Sequence, residues 1–316
     1  MTPNPSSRQL KVVRAADITT PEESAPAWLV EHLWGSGAVG VIGGAPKACK
    51  SWLALELAVA VASGRPCLGG FAVPDPGPVL VYAAEDAPLQ VRQRIEQLCL
   101  ARGAPFHALE LHLILEPGLR IDRPEPVERL RATLARHRPR LLILDPYVRL
   151  QGADENNATE VAAILATLRE ISRTFSLALL LVHHARKSPG SSGGQTLRGS
   201  SDFHAWGDSN LYLRRRADDL ILTIEHRAAP APPPLALILA SDPLRLDIRS
   251  AHAHPPTTAL EERLLAALHQ GPQRLEELRA AVGARKQTVV QTLKSLEASG
   301  LVVRRPDGWQ LSRCPT

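Results

Sequence analysis

The chain has 316 residues and a formal net charge of +5, and its hydrophobic content of 44% includes only 4% aromatic residues. This length is enough for about two domains, with cores built mainly from Leu, Val, Ile and Ala. The four cysteines are too scattered for a metal-ligand set, and we find no signal peptide and no apolar run that could cross a bilayer. We therefore expect a cytoplasmic protein with reduced thiols, and the pI of about 9.3 favours a polyanionic partner.

Two predicted segments precede the core. Residues 1–27 are polar and rich in Pro and Ser, which predicts an N-terminal arm. The segment from Trp28 to Trp34 has the spacing of a short amphipathic helix.

Apolar runs then alternate with helical patterns in a predicted domain over residues 28–250. Strands are predicted at Val39–Ile42, Val79–Ala83, Leu141–Leu144 and Leu177–Val182. Helical spacing lies between them at Leu89–Arg102, Pro126–His137 and Ala158–Thr174. This alternation predicts an α/β fold, a mostly parallel sheet with helices on its faces. Further strands too close together for helices predict an antiparallel meander at one edge: Asn210–Leu213, Leu220–Glu225, Leu235–Leu239 and Leu244–Ile248.

The stretch VGVIGGAPKACKSWLALELA, residues 39–58, predicts a nucleotide phosphate-binding loop. A short strand runs into two glycines, and an Ala/Leu-rich helix follows Lys50 and Ser51. In this arrangement backbone N–H groups cradle phosphate oxygens, Lys50 reaches the β- and γ-phosphates, and Ser51 holds Mg²⁺. The predicted nucleotide-binding residues are Gly44, Ala45, Pro46, Lys47, Ala48, Cys49, Lys50 and Ser51.

Cys49 stands where the usual pattern G-x-x-x-x-G-K-[ST] has its second glycine. Glycine is used there because the backbone can then approach the phosphates with no Cβ in the way. Cysteine is small, so nucleotide binding stays the prediction. A glycine-rich turn before an ordinary helix is the alternative that these residues leave open.

Three further predicted strands end in polar residues, at the place where open α/β sheets bind ligands. Glu85 and Asp86 follow the second strand, and a carboxylate there can orient or deprotonate a water that attacks the γ-phosphate. Asp145 ends the third strand, where a carboxylate contacts Mg²⁺ directly or through water. His183 and His184 end the fourth, where a polar residue can sense the γ-phosphate.

Each of these residues also has a structural interpretation. Glu85 and Asp86 can favour the first turn of the following helix, and Asp145 before a proline can initiate a turn. A histidine at a strand end can simply be a hydrogen-bonded structural residue. The agreement of all the strand ends in order, spacing and position favours the nucleotide site.

A change of composition at residues 251–256 predicts a second module over residues 257–316. Helices predicted at Thr258–His269, Leu275–Val282 and Lys286–Ser299 precede a hairpin of Leu301–Arg305 and Trp309–Ser312. This is the element order of a winged helix. As a DNA-binding module it would present Arg285, Lys286 and Gln287 on its recognition helix and Arg304 and Arg305 on its wing, although winged helices also dock proteins.

From about Trp28 to Ser250 the chain resembles the RecA-like ATPases of the plasmid RepA hexameric helicase group, relatives of the DnaB-type helicases. The matching pieces are GGAPKACKSWLAL, VYAAEDA, LLILDPY, LVHHARK and LRGSSDF. The resemblance implies ATP and Mg²⁺ as ligands, Glu85 as the catalytic carboxylate, Asp145 as the Walker B acid and His184 as a γ-phosphate sensor. It also implies a ring, expected to be a hexamer, in which Arg198 reaches a neighbouring subunit's site as an arginine finger.

The segment SPGSSGGQ, residues 188–195, has the composition of a flexible linker and is flanked by Arg186, Lys187 and Arg198. In RecA-like proteins the equivalent loop contacts single-stranded DNA in the central channel, so the resemblance implies a DNA contact at Lys187. A surface loop without a ligand is the alternative.

Two functions of different classes remain open from the sequence. The first is an ATP-driven motor that translocates on DNA or unwinds it. The second is a nucleotide-gated DNA-binding or regulatory factor with little unwinding, which Cys49 and the appended C-terminal module favour. A scaffold that binds no nucleotide is a third interpretation.

Overall fold

The computed structural model of the chain describes residues 12–17, 28–116, 118–152, 158–184, 201–216, 219–249, 259–269, 271–284, 286–298, 301–305 and 308–311. The chain forms two compact units, Met1–Arg249 and Ser250–Thr316, each described here by itself. Within the described ranges, no helix has the length and apolar character needed to cross a membrane. Of the predicted N-terminal arm, only residues 12–17 are described, and they contain one short 3-10 helix, Ala15–Asp17.

The core of the larger unit begins with a hairpin where the sequence predicted a helix. Strand β1 (Trp28–Val30) pairs antiparallel with β2 (Trp34–Gly35). His32 in the turn has a φ of 56°, which a right-handed helix does not allow. The predicted helix from Trp28 to Trp34 is therefore wrong. The spacing of a short apolar run fits a strand as well as a helix, and the hairpin is the arrangement in which Trp34 is buried.

A nine-stranded sheet forms the centre of the larger unit. Its strands in chain order are β3 (Val39–Gly44), β4 (Val79–Ala83), β5 (Leu111–Ile114), β6 (Leu141–Asp145), β7 (Ala178–His184), β8 (Ser209–Arg216), β9 (Asp219–His226), β10 (Leu235–Ser241) and β11 (Leu244–Ile248). The spatial order is β11-β10-β9-β8-β3-β7-β6-β4-β5. Neighbouring strands are parallel throughout the part of the sheet formed by β8, β3, β7, β6, β4 and β5. Neighbouring strands are antiparallel in the part formed by β8, β9, β10 and β11. The predicted parallel sheet with an antiparallel edge is confirmed; the edge strand β5 was not predicted.

Helices cover both faces of this sheet. Alternate residues of a strand point to opposite faces, so Ile143 packs on one side and Leu144 on the other. The first face is covered by α1 (Lys50–Ser63) and α2 (Pro88–Arg102), and the second by α3 (Pro124–His137), α4 (Ala158–Phe175) and α5 (Ser201–Trp206). The parallel strands are consequently buried on both sides, which explains their continuous apolar sequences.

The C-terminal unit has its own small core. Its elements are α6 (Ala259–His269), α7 (Leu275–Val282), α8 (Lys286–Ala298), β12 (Val302–Arg305) and β13 (Gly308–Leu311). Strands β12 and β13 form an antiparallel hairpin, and a single bridge joins Gln273 to Trp309. Leu264, Leu278 and Val289 from the three helices pack with Trp309 of the hairpin. The predicted order of three helices followed by a hairpin is confirmed.

A buried cluster of charges ties α1 and α2 to the last strand of the sheet. Arg102 Nε donates to Glu56 Oε1 at 2.6 Å, and its Nη1 donates to Asp247 Oδ1 at 2.9 Å. The side chains of Glu56 and Arg102 are only 1% and 8% exposed. Burial raises the pKa of the Glu56 carboxyl, and the charge of Arg102 opposes this effect.

We expect Arg102→Ala to lower the free energy of unfolding by about 3–5 kcal/mol, because it leaves the charge of Glu56 buried and uncompensated. The matched control is Arg92→Ala on the same helix, whose exposed pair with Glu96 should contribute no more than about 1 kcal/mol. Urea unfolding of both variants measures the difference. Equal losses of unfolding free energy in the two variants would contradict the larger contribution that we assign to the buried cluster.

Candidate nucleotide-binding site

The predicted phosphate loop lies between β3, which ends at Gly44, and α1, which begins at Lys50. The loop residues Ala45, Pro46 and Lys47 are exposed, and Ala48 is buried. The side chain of Cys49 makes no capping hydrogen bond to α1, so it does not compete with a ligand for the N–H groups of the first turn. A helix N-terminus of this kind favours anions through its N–H groups and its dipole.

Cys49 adopts the left-handed conformation that glycine usually supplies at this position. Its φ and ψ are 58° and 25°, and Lys47 also has a positive φ of 63°. In this region the Cβ of an L-residue crowds the following carbonyl, at a cost of roughly 1–2 kcal/mol. The structure therefore gives a backbone reason for the usual glycine at this position.

Lys50 is buried beneath the loop. Its Nζ donates to the carbonyl oxygens of Gly44 at 3.0 Å and of Ala45 at 2.8 Å. Burial lowers the pKa of Lys50 to about 8, while the nearby carboxylates of Asp145 and Glu85 act in the opposite direction. The ammonium is thus held at the mouth of the loop, where a phosphate oxygen can replace either carbonyl as its partner.

Ser51 and Asp145 meet across the site. The hydroxyl of Ser51 donates to the carboxyl of Asp145, which ends β6. Burial raises the pKa of Asp145 to about 6, against the lowering effect of this hydrogen bond. A hydroxyl and a carboxylate are oxygen ligands of the kind that Mg²⁺ prefers, and they lie beside the phosphate loop, so these residues fit the metal.

Glu85 and Asp86 follow β4 at the same edge of the sheet, and each has an arginine partner. Glu85 Oε1 accepts from Arg149 Nε at 3.2 Å, and Asp86 accepts from both terminal nitrogens of Arg94. Helix α2 begins at Pro88 with Ala87 as its N-cap residue, so Glu85 and Asp86 precede the cap position. In the described part of the chain, both carboxylates are paired with arginine side chains, and both line the same cavity.

These residues enclose one cavity of about 460 Å³. It is lined by residues 47–52, Ala83, Glu85, Asp86, Arg94 and Asp145. Trp52 and Arg94 were not predicted, and the Arg94 guanidinium lies 5.7 Å from the centroid of the Trp52 ring. Trp52 could have been found, because it directly follows Ser51, whereas Arg94 reaches the site only through the packing of α2.

The remaining predicted site residues of the larger unit are placed only in part. His184 pairs with Gly44 in the parallel ladder, which brings its backbone to the same edge of the sheet, and its side chain lies outside the described part. The ring of His183 packs 4.3 Å from that of Phe203. Arg198 and Lys187 lie outside the described residues.

In the C-terminal unit, the predicted DNA-contacting residues are mostly exposed. Gln287, Arg304 and Arg305 are exposed, and Arg304 lies 6.0 Å from the Trp309 ring. Lys286 is also exposed, but its Nζ pairs with Glu276 at 2.9 Å. Arg285 lies outside the described residues.

We expect Cys49→Gly to be more stable than Cys49→Ala by about 0.5–1 kcal/mol, because glycine adopts the left-handed conformation without a Cβ clash. Both variants remove the thiol, so their difference isolates the backbone conformation. Urea unfolding followed by tryptophan fluorescence measures it. Equal stabilities would contradict the strain assigned to position 49.

Comparisons with known proteins agree with this architecture. The family model described as "AAA domain" matches residues 2–190, and the model for the N-terminal domain of the methanogenesis regulatory protein FilR1 matches residues 256–314. Among solved structures, the chain is similar to the ATPase domain of G40P, with 13% identity and a TM-score of 0.52 over 67% of this chain and 84% of that chain. It is also similar to a DnaB-like replicative helicase, with 13% identity and a TM-score of 0.51 over 67% of this chain and 57% of that chain.

At this low identity the solved structures show the fold alone, which is a RecA-like α/β fold. The family match is the stronger finding because it covers more than half of the sequence. The chain therefore belongs to the AAA domain family.

Proposed function

We propose that this protein is a Mg²⁺-dependent ATPase that drives a motor acting on DNA. One observation carries the ATPase assignment: the buried Lys50 lies with Ser51 and Asp145 in one cavity at the N-terminus of α1. Family membership and the helicase-type fold support it.

We assign a separate chemical role to each group of residues in the cavity. Lys50 and the first N–H groups of α1 bind the triphosphate, and Ser51 and Asp145 would hold Mg²⁺. When bound there, the ion supplies positive charge that offsets the charge of the phosphates. Glu85 orients the attacking water: its pair with Arg149 uses Oε1, so Oε2 can accept a hydrogen bond from that water.

The motor part of the proposal follows the resemblance to helicases of the plasmid RepA type. In this proposal the chain assembles as a hexameric ring, ATP binds between subunits, and Arg198 completes the site of the neighbouring subunit. His184 senses the γ-phosphate, and Lys187 contacts single-stranded DNA. The C-terminal unit acts as a winged helix that adds DNA contacts through Arg285, Lys286, Gln287, Arg304 and Arg305. The hairpin and its bridge to Gln273 support the last assignment.

A second function is favoured by two specific observations. Cys49 gives the phosphate loop a residue with a Cβ in a left-handed conformation, and the C-terminal unit matches a domain of a regulatory protein. Both suit a nucleotide-gated regulator in which ATP binding controls assembly and little unwinding occurs.

We expect Lys50→Ala to lower ATP turnover by about 10²–10³, because it removes the cation that stabilises the developing phosphate charge. Lys294→Ala is the control, since Lys294 is an exposed lysine on α8 in the other unit. Phosphate release measures turnover. A Lys50→Ala variant that hydrolyses ATP like the wild type would show that the site is misassigned.

A strand-displacement assay on the wild type separates the two proposed functions. Hydrolysis without strand displacement supports the regulator, and displacement that depends on ATP supports the motor.

We expect Mg²⁺ affinity of the nucleotide-bound protein to fall about tenfold per pH unit below pH 6, because Asp145 must be deprotonated to bind the ion and its pKa is raised to about 6. Titration of Mg²⁺ with a fluorescent ATP analogue at several pH values measures this. The Asp145→Asn variant keeps only the titration of the nucleotide itself and serves as the control. Parallel pH profiles for the two proteins would contradict the metal role of Asp145.

A further inference from the structure

Strand β8 extends beyond the end of β3, its neighbour at the phosphate loop. The last pair between these strands joins Gly44 to Leu213, and the three residues that follow pair only with β9. These residues are Arg214, Arg215 and Arg216. The extension spans about 10 Å at the usual rise of a strand, on the same edge of the sheet as the phosphate loop.

All three arginines are exposed, whereas the five preceding residues of β8 are buried. Within the described part of the chain, none of them forms an ion pair. The carboxylate opposite Arg216 in the ladder is Asp219, and it is paired with Arg249 at 2.9 Å. Three adjacent guanidinium groups that have no carboxylate partner among the described residues are a concentrated positive charge that an anionic partner would neutralise.

The spacing of the three arginines favours one kind of anion. Arg214 and Arg216 project to one face of the strand about 7 Å apart, and Arg215 projects to the other. A single phosphate cannot satisfy charges spread in this way, whereas a polymer with regularly spaced phosphates can. Guanidinium groups suit phosphate oxygens because they donate two parallel hydrogen bonds and stay charged. Exposed Lys47 adds a further positive charge on the neighbouring loop.

We propose that Arg214, Arg215 and Arg216 bind the phosphate backbone of a nucleic-acid strand that runs along the nucleotide-binding edge of the sheet. This inference rests on the proposed action on nucleic acid and assigns it a site. The contacts are made to phosphates, so the binding is independent of base sequence and depends on salt.

The test replaces the three arginines together, Arg214→Gln, Arg215→Gln and Arg216→Gln, in the full chain. The matched control replaces Arg65, Arg136 and Arg173 by Gln, because these exposed arginines carry the same total charge at the opposite edge of the sheet. Arg65 follows α1, and Arg136 and Arg173 lie in the last turns of α3 and α4. Circular dichroism and thermal unfolding verify that both variants are folded. Binding of fluorescent oligothymidylate and oligoadenylate strands is measured between about 50 and 200 mM salt.

The β8 variant should bind both strands about tenfold or more weakly than the control. Its slope of log affinity against log salt should be shallower by about 2, because each lost contact to a single strand contributes about 0.7. Unchanged affinity and slope would overturn the inference, and so would unchanged affinity with an altered oligomeric mass, which would assign the row to a protein contact.

The inference and the proposed function can fail separately. If the wild type hydrolyses ATP but binds neither strand, the arginine site is wrong and the ATPase assignment stands. If ATP turnover is absent but the β8 variant loses strand affinity as described, the arginine site stands and the proposed motor is wrong.

Discussion

The close approach of β3 to β8 is the constraint on which the rest of the larger unit depends. A Cβ at Gly40 would lie 1.7 Å from the carbonyl oxygen of Ser209, and one at Gly44 would lie 2.5 Å from that of Leu213. Only glycine allows β3 to occupy this central position. The parallel register that follows brings the loop between β3 and α1, Asp145 and the end of β7 to one edge of the sheet.

At that edge, the same physical cause acts on two opposite charges. Burial shifts the pKa of Lys50 down to about 8 and that of Asp145 up to about 6, so it disfavours both the ammonium and the carboxylate. Ligands of opposite charge relieve both penalties together. A triphosphate suits Lys50 and a divalent cation suits Asp145, which is why the proposed substrate and metal fit better as a pair than either does alone.

The sequence predicts this region well because its signals are local. Glycines before Lys50, apolar runs and polar strand ends are each contained in a few neighbouring residues, and the sheet, its helices and the cavity around Ser51 follow from them. Features set by tertiary packing were missed. The run from Trp28 to Trp34 fits two periodicities, and Arg94 enters the cavity only because α2 packs beside α1. The left-handed φ of Cys49 is likewise a property of the loop path that no local preference of cysteine indicates.

The buried cluster around Arg102 has a consequence for the order of folding. Arg102 meets Glu56 across 46 residues of chain and Asp247 across 145 residues. Closing so long a loop costs entropy before any contact compensates for it, so such steps come late. During synthesis, helix α1, which carries Lys50, therefore gains the contact with Asp247 through Arg102 only after β11 has left the ribosome.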